Sequence, residues 1–543
     1  MIATSGSGFD VILVSGEPYA DHPLSPVGVI ARVLDARGYS VGVIESPDWK
    51  RPDDFLKLGR PRLFFGVTSG SIDSMLVNYS PLKRERARDR NVDYVARMPD
   101  RAVIVYANKL RELHRGVPIV LGGIEASLRR FAHYDYWDDA VRRSILLDTR
   151  ADILVYGPGE IQVMKIAKRL DRGETLDGIH GTCVVRSEAP AGAEVLPTFE
   201  EASDDKDRFC EAQRLLGNRG NRRLLAQGHA NRFVVQYPAP EYKTSDLDWV
   251  YGLPFSRLIP ESYPELGMAR FSVVTHRGCL GRCSFCALSL HQGDRIVSRS
   301  EESILAEIAR LTQHPEFKGF VDDLGGPTAN MYGMDCASPC ADGDCLSCER
   351  LDRSHKRLIG LMRKARRVLG VKKVFVRSGV RYDLALESRT YIEELAKHHI
   401  SGLLKIAPEH VSEEVLRLMG KSGGRRKLEE FRRVFDEINR EAGRGRFAAP
   451  QHLKYYFMVA HPGTSEKEAR ELAAYSRELE KGGEKPVEGV QIFTPTPMTR
   501  STCMYYTGKD PVTGESVYVP RPYAEKKAQR RMMGGPDSDR ERD

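Results

Sequence analysis

The residues best suited to chemistry are three cysteines at C-x3-C-x2-C spacing, Cys279, Cys283 and Cys286, in the run Thr275-His276-Arg277-Gly278-Cys279-Leu280-Gly281-Arg282-Cys283-Ser284-Phe285-Cys286. Three thiolates so placed can wrap one face of an iron–sulfur cubane. Such a cluster takes four ligands. Three leave one iron open, and an open metal position is where a substrate binds. Gly278 and Gly281 let the backbone bend around the cluster, while Arg277 and Arg282 offset its negative charge. The alternatives are an electron carrier, or a zinc site with His276 or His291 as the fourth ligand.

A second group follows at C-x3-C-x4-C-x2-C: Cys336, Cys340, Cys345 and Cys348. Four thiolates satisfy either zinc or a second iron–sulfur cluster, and the spacing does not separate the two. Together the groups hold seven of the ten cysteines. In a reducing cytoplasm that concentration points to metal and not to disulfides. The cytoplasmic expectation rests on two features. The start, Met-Ile-Ala-Thr-Ser-Gly-Ser-Gly, lacks a secretion pattern, and no apolar run is long enough to span a membrane.

The first cysteine group needs a rigid support, and the surrounding pattern supplies one. Short apolar runs at Phe271–Thr275, Gly319–Asp323, Lys373–Arg377, Gly402–Ile406, Leu453–Val459 and Gly489–Phe493 read as strands separated by helices. Ser300 caps one of these helices and Ser412 starts another. Six β/α units predict a partial (β/α)6 TIM-type barrel over residues 269–506, with its site at the C-terminal strand ends. Upstream, Asp10–Ser15, Val41–Glu45, Leu63–Ser69, Val117–Leu121 and Ile153–Tyr156 alternate with helices such as Val27–Arg37 and Ala102–Arg115. This predicts an α/β, doubly wound parallel sheet over residues 1–186. Residues 187–268 read as a helical, Pro-rich connector, and 507–543 as a polar, disordered tail.

The C-x3-C-x-Phe-C motif after the first barrel strand resembles the radical S-adenosylmethionine (SAM) superfamily. Longer phrases resemble its YgiQ-like family over nearly the whole chain to about Tyr506. These are Val-Leu-Gly-Gly-Ile-Glu-Ala-Ser-Leu-Arg-Arg from Val120, Ala-His-Tyr-Asp-Tyr-Trp from Ala132, Asp-Leu-Gly-Gly-Pro-Thr-Ala-Asn-Met-Tyr from Asp323 and Lys-Ile-Ala-Pro-Glu-His from Lys405. The resemblance implies a [4Fe–4S] cluster on Cys279, Cys283 and Cys286. That cluster would reductively cleave SAM to a 5′-deoxyadenosyl radical, which abstracts hydrogen from an undefined substrate. An electron donor such as flavodoxin or ferredoxin is implied with it. Phe285 would lie near the adenine. Gly325 and Gly326 would contact the methionine amino group through backbone alone, because Pro327 stands where the superfamily places an acid. Arg377, Ser378, Lys405 and Glu409 fall where ribose and carboxylate contacts occur. Gly122-Gly123 and Tyr156-Gly157-Pro158-Gly159-Glu160 resemble loops of a cobalamin-binding-like domain, a Rossmann-like fold. Asp21-His22-Pro23 departs from the Asp-x-His-x-x-Gly pattern of a corrinoid ligand. No cobalamin is therefore expected, and His22 reads as a turn or strand-end residue.

Two other functions compete. One is a radical SAM enzyme that modifies RNA, such as a methylthiotransferase. That enzyme needs three further cysteines upstream, and no cysteine precedes Cys183. A net charge of +8 and the runs Arg363–Arg367 and Arg425–Lys427 keep RNA open as a partner. The other is a non-catalytic iron–sulfur redox or assembly module. The run Lys83–Arg90 reads as solvated surface or as a basic lip over a channel. Cys503, Tyr505 and Tyr506 are candidates to finish a hydrogen transfer, against burial in the core. His410, His452 and His461 near strand ends are either acid–base groups or structural histidines.

Overall fold

The computed structural model describes residues 1–86, 98–217, 220–336, 344–421, 423–442, 451–482 and 489–534. The chain opens with β1 (Ile2–Ala3), β2 (Val11–Ser15), β3 (Val41–Glu45), β4 (Phe64–Thr68), β5 (Ile119–Leu121) and β6 (Ile153–Val155). These strands pair in parallel in the order β1-β3-β2-β4-β5-β6. Side chains alternate between the two faces. Ile12, Val14, Phe65, Val67 and Leu121 pack with Ala102, Tyr106 and Leu110 of the helix Ala102–Leu113. Val11, Leu13, Val43, Val120 and Ile153 pack with the helices Pro26–Asp35 and Glu160–Asp171 on the other face. The expected doubly wound sheet is present.

It does not end at residue 186. β7 (Thr182–Arg186), β8 (Glu194–Leu196), β9 (Leu225–His229) and β10 (Arg232–Gln236) extend it to ten strands in the order β6-β7-β10-β9-β8. The stretch expected as a helical connector carries helices at Phe199–Asp204 and Lys206–Gly217, but its strands belong to the sheet as far as Gln236. Buried polar residues hid the pattern. Gln227 Oε1 accepts from Ala132 N at 2.7 Å and Gln236 Oε1 from Arg130 Nε at 2.7 Å. These glutamines are interior because they satisfy the segment around Arg130.

The second half is built on β11 (Val273–Val274), β12 (Phe320–Val321), β13 (Leu324–Gly325), β14 (Lys373–Val374), β15 (Leu403–Glu409), β16 (His452–Val459) and β17 (Gly489–Ile492). Parallel pairing links β11 to β13, β12 to β14, and β15 through β16 to β17. A parallel bridge, Val380 to Ile406, joins the third unit to the fourth. Leu404, Ile406, Leu453, Tyr455 and Phe457 face the helix layer with Phe431, Leu472 and Tyr475. The six expected strands are all present as an open barrel arc. Its C-terminal strand ends face the C-terminal strand ends of the first sheet, and the candidate site lies between them.

The expected polar tail is folded as far as residue 534. The helix Tyr523–Met532 docks on both halves. Lys526 is fully buried, and its Nζ donates to Tyr505 Oη at 2.9 Å and Tyr136 Oη at 3.1 Å. Gln529 Nε2 donates to Thr464 O at 2.9 Å. A polar composition concealed this docking because the helix buries polar groups with partners. Residues beyond 534 lie outside the described chain. Among the described residues no helix is long and apolar enough to cross a membrane.

Candidate active site

The cysteine loop begins directly after β11. Gly278 has φ +86°, and a Cβ there would stand 1.7 Å from Arg295 O. No other residue fits this position. Gly281 is constrained by space instead. A methyl group there would lie 2.7 Å from Arg381 Nη1, 3.4 Å from Cys279 Sγ and 3.7 Å from Cys283 Sγ. All three cysteines are free thiols. Burial pushes Cys286 up to about 12 and raises Cys283 as well. Thr328 Oγ1 stands 3.3 Å from Cys279 Sγ.

Ser284, between two of the cysteines, is clasped by distant chain. Its N donates to Met419 O at 2.9 Å and its Oγ to Leu418 O at 2.7 Å. Ser501 N donates to Ser284 O at 3.0 Å, and the two hydroxyls are 2.8 Å apart. His461 Nε2 lies 2.6 Å from Ser501 Oγ, and burial lowers this imidazole to about 3. The histidine is therefore a neutral structural group.

Neither motif arginine faces the thiols as expected. Arg277 forms an ion pair with Glu160 of the first sheet at 2.5 Å, and its Nε donates to Tyr251 Oη at 3.0 Å. Arg282 lies 4.0 Å from Asp294. Each of the histidines proposed for zinc holds a neighbouring hydroxyl through Nδ1. His276 Nδ1 is 2.8 Å from Thr275 Oγ1, and His291 Nδ1 is 3.0 Å from Ser127 Oγ. Among the described residues no three His, Cys, Asp or Glu side chains converge tightly enough for a single metal ion. A cubane spreads its ligands more widely, so the three thiols fit it better than zinc.

Two cavities flank the loop. One of about 400 Å³ is walled by Phe285, Cys286, Glu409, Tyr456 and Gln491, and roofed by Ile72, Asp73 and Ile124 from loops after β4 and β5. Another of about 580 Å³ runs from Gly66 and Gly122 on the sheet to Gly325, Gly326, Arg377 and Ser378 at the barrel. Both sizes suit small-molecule or cofactor sites. The roof is stiff. Glu125 accepts from Ser74 N at 2.9 Å and Val103 N at 3.0 Å, and Arg129 pairs with Asp73.

The expected cofactor residues divide between the cavities. Phe285 stands edge-on to His461. Glu409, raised by burial, holds a left-handed φ of +68° and lies 3.4 Å from Lys421 Nζ. Gly325 and Gly326 pack tightly: a Cβ would meet Ser378 Oγ at 2.5 Å in one case and the His276 ring at 2.5 Å in the other. Ser378 and Arg377 N both bond Asp323, at 2.8 Å for Arg377 N. Lys405 lines neither cavity. Its side chain is exposed farther down β15.

Of the second cysteine group, Cys336 is exposed and Cys345 and Cys348 are half-buried, while Cys340 lies outside the described residues. Cys345 packs on the same apolar cluster as Cys279, around Leu280, Met331 and Met334. Residues 87–90 of the basic run also lie outside. Cys503 is buried, 3.6 Å from Cys210 Sγ. Tyr506 stacks on Tyr134, and His410 Nδ1 accepts from Ser412 N at 3.0 Å. None of these residues lines either of the two cavities, nor does His452. His22, buried and 2.8 Å from Arg270 O, is the turn residue expected.

Residues 1–276 match the family described as radical SAM N-terminal, 273–476 the radical SAM superfamily, and 488–539 a domain of unknown function. A UPF0313 protein of Methanosarcina acetivorans is 46% identical over 96% of this chain and 76% of its own length. The chain belongs to the UPF0313, YgiQ-like family. UPF0313 proteins of Methanocaldococcus jannaschii (44%, covering 96% and 88%) and Geobacter sulfurreducens (45%, covering 96% and 89%) are similar. Among solved structures, the radical SAM methyltransferase TsrM of Kitasatospora setae with cobalamin and [4Fe–4S] bound shares the fold at TM-score 0.52. It is 18% identical, over 90% of this chain and 73% of that one. The protein is a radical SAM enzyme of undefined substrate, and its chemistry requires SAM, a [4Fe–4S] cluster and a reductant. The non-catalytic alternative falls. The expectation of no cobalamin is not borne out, since a protein of the same fold holds it.

Sequence reasoning missed Glu160 as the partner of Arg277, and also Thr328, Arg381, Lys421 and Ser501. Among them only Glu160, in the Gly-Pro-Gly-Glu loop, and Thr328, in the phrase from Asp323, lay in stretches that carried any signal.

Proposed function

We propose that Cys279, Cys283 and Cys286 hold the [4Fe–4S] cluster and that SAM and substrate share the 400 Å³ cavity beside Cys286. The observation that carries this reading is the presence of Cys286, Phe285 and Glu409 in one cavity wall at the ends of the barrel strands. The cluster, when bound, supplies the electron that cleaves SAM. The protein's own residues bind and shield. Phe285 offers an apolar edge for the adenine and Glu409 an acceptor for the ribose. The roof residues Ile72 and Ile124 keep water from the radical. The substrate is small enough for this cavity, and flavodoxin or ferredoxin fits as the electron donor. Anaerobically reconstituted, reduced protein is expected to form 5′-deoxyadenosine from SAM, and Cys283→Ala to lose it along with iron. An intact cluster that never cleaves SAM, with metabolite and RNA fractions offered, would refute the assignment.

The larger cavity favours a corrinoid as a second cofactor. Its walls are apolar on the sheet side, and a methyl group on Gly122 would meet nothing within 4 Å. It also reaches the barrel mouth at Gly325. His22 offers no axial nitrogen, so binding would rest on the cavity walls alone. Full-length protein mixed with hydroxocobalamin is expected to retain the red chromophore through gel filtration. Gly122→Leu, which fills the space without backbone strain, should lose it. Wild-type protein that emerges colourless overturns this reading.

A further inference from the structure

We propose that Arg381 and Lys421 are the two cations that set the charge, and with it the reduction potential, of the cluster on Cys279, Cys283 and Cys286. The proposal rests on the cluster assignment above.

The physical problem is plain. Thiols become cluster ligands as thiolates. Three thiolates outweigh the charge of the oxidised core, and each electron delivered adds more negative charge. A low-dielectric pocket magnifies that cost. The motif arginines do not meet it, since Arg277 serves Glu160 and Arg282 lies beside Asp294.

Arg381 and Lys421 reach the loop from different segments of the chain. Arg381 follows β14, and its backbone is gripped twice by Asn330. Arg381 N donates to Asn330 Oδ1 at 2.9 Å, and Asn330 Nδ2 donates to Arg381 O at 3.0 Å. The guanidinium then lies over Gly281, whose missing side chain opens a space shared by Arg381 Nη1, Cys279 Sγ and Cys283 Sγ. Asp383 at 2.9 Å from Nε holds it there. Lys421 comes from the segment that clasps Ser284. A Cβ on its neighbour Gly420 would lie 4.0 Å from Cys283 Cα. Lys421 Nζ donates to Ala407 O and stands 3.4 Å from Glu409 Oε1. Ala407 and Glu409, which hold Lys421, line the same cavity wall as Cys286. A fixed positive charge beside a cluster favours its reduced form, because net charge and nearby groups are levers on potential. Asp383 and Glu409 temper the two cations, which leaves the cluster poised and not strongly oxidising.

The test is an EPR-monitored redox titration of reconstituted full-length protein without SAM, with iron and sulfide counted per chain. Arg381→Gln and Lys421→Met are each expected to cut the reduced-to-oxidised ratio at a fixed potential about tenfold, a shift of ~59 mV for one electron. Arg381→Lys should stay near wild type. Asp383→Asn should move the ratio the other way, which general loosening of the loop would not do. If Arg381→Gln fails to hold iron, Lys421→Met and Asp383→Asn decide. Unchanged potentials at full iron content overturn the proposal, as does a change in SAM affinity alone. Absence of a four-iron cluster in the wild type refutes the cluster assignment instead, so the two failures are distinguishable.

Discussion

Replacing Glu160 with Gln should loosen the junction between the two halves of the molecule. Glu160 and Arg277 are 2.5 Å apart, with side chains only 4% and 16% exposed. Tyr242 Oη lies 2.9 Å from the second carboxylate oxygen. Burial raises the Glu160 carboxyl, but Arg277 together with hydrogen bonds from backbone and Tyr242 holds it below the ordinary carboxylate range. Removing one member of a buried pair typically costs about 3–5 kcal/mol, while replacing both with uncharged groups costs little. Glu160→Gln should therefore lose about 3 kcal/mol, roughly a hundredfold in the opening equilibrium. Glu160→Gln with Arg277→Met should recover most of it. Urea unfolding followed by fluorescence of Trp249, which lies in the helix Thr244–Gly252 beside Tyr251, reads the change. Because the folded pKa is depressed, the pair's contribution is complete above the usual carboxylate pKa. It is lost as pH falls through the folded value. A double variant as unstable as the two single losses combined would refute the reasoning.

Three further outcomes are expected. Gly278→Ala should abolish iron loading, because its Cβ meets backbone at 1.7 Å, whereas Gly281→Ala meets only a side-chain terminus, Arg381 Nη1 at 2.7 Å, and should still load iron; iron per chain after reconstitution compares them. Lys526→Met should stabilise the C-terminal helix at neutral pH. Burial lowers Lys526 to about 8, a penalty of about 1.4 kcal/mol per unit that is present below pH 8 and relieved toward pH 10.5. Proteolysis of the wild-type segment should slow over that window and that of the variant should not. Changing Cys336 and Cys340 to Ala should lower zinc or iron in anaerobic protein by one site, as read by elemental analysis.

The barrel strands and the first six sheet strands were legible because each is a short apolar run between turn residues, and packing on two helix layers requires that pattern. The cysteine loop was legible because ligand spacing is local. What escaped was non-local or polar. Gln227 and Gln236 read as part of a helical connector because their partners, Ala132 and Arg130, are far away in sequence. Lys526 read as tail because only the folded chain surrounds it with tyrosines. Arg277 was assigned to the cluster by proximity in sequence, yet its stem turns toward Glu160. Lys405 sits two residues from Ala407, which lines the cavity, but lower on the strand and in solvent.

The clasp on Ser284 has a consequence for biogenesis. Ser501 lies 217 residues downstream of the serine it holds. At translation rates of about 5–20 residues per second, the cysteine loop would emerge from the ribosome roughly 10–40 s before its clasp exists. Through that interval the three thiols sit on an unsealed loop, accessible to a cluster-donating scaffold. Once Ser501 and the following helix dock, the loop is pinned from both sides. The order of residues along the chain thus gives cofactor insertion a window that closes on its own, with no separate gate.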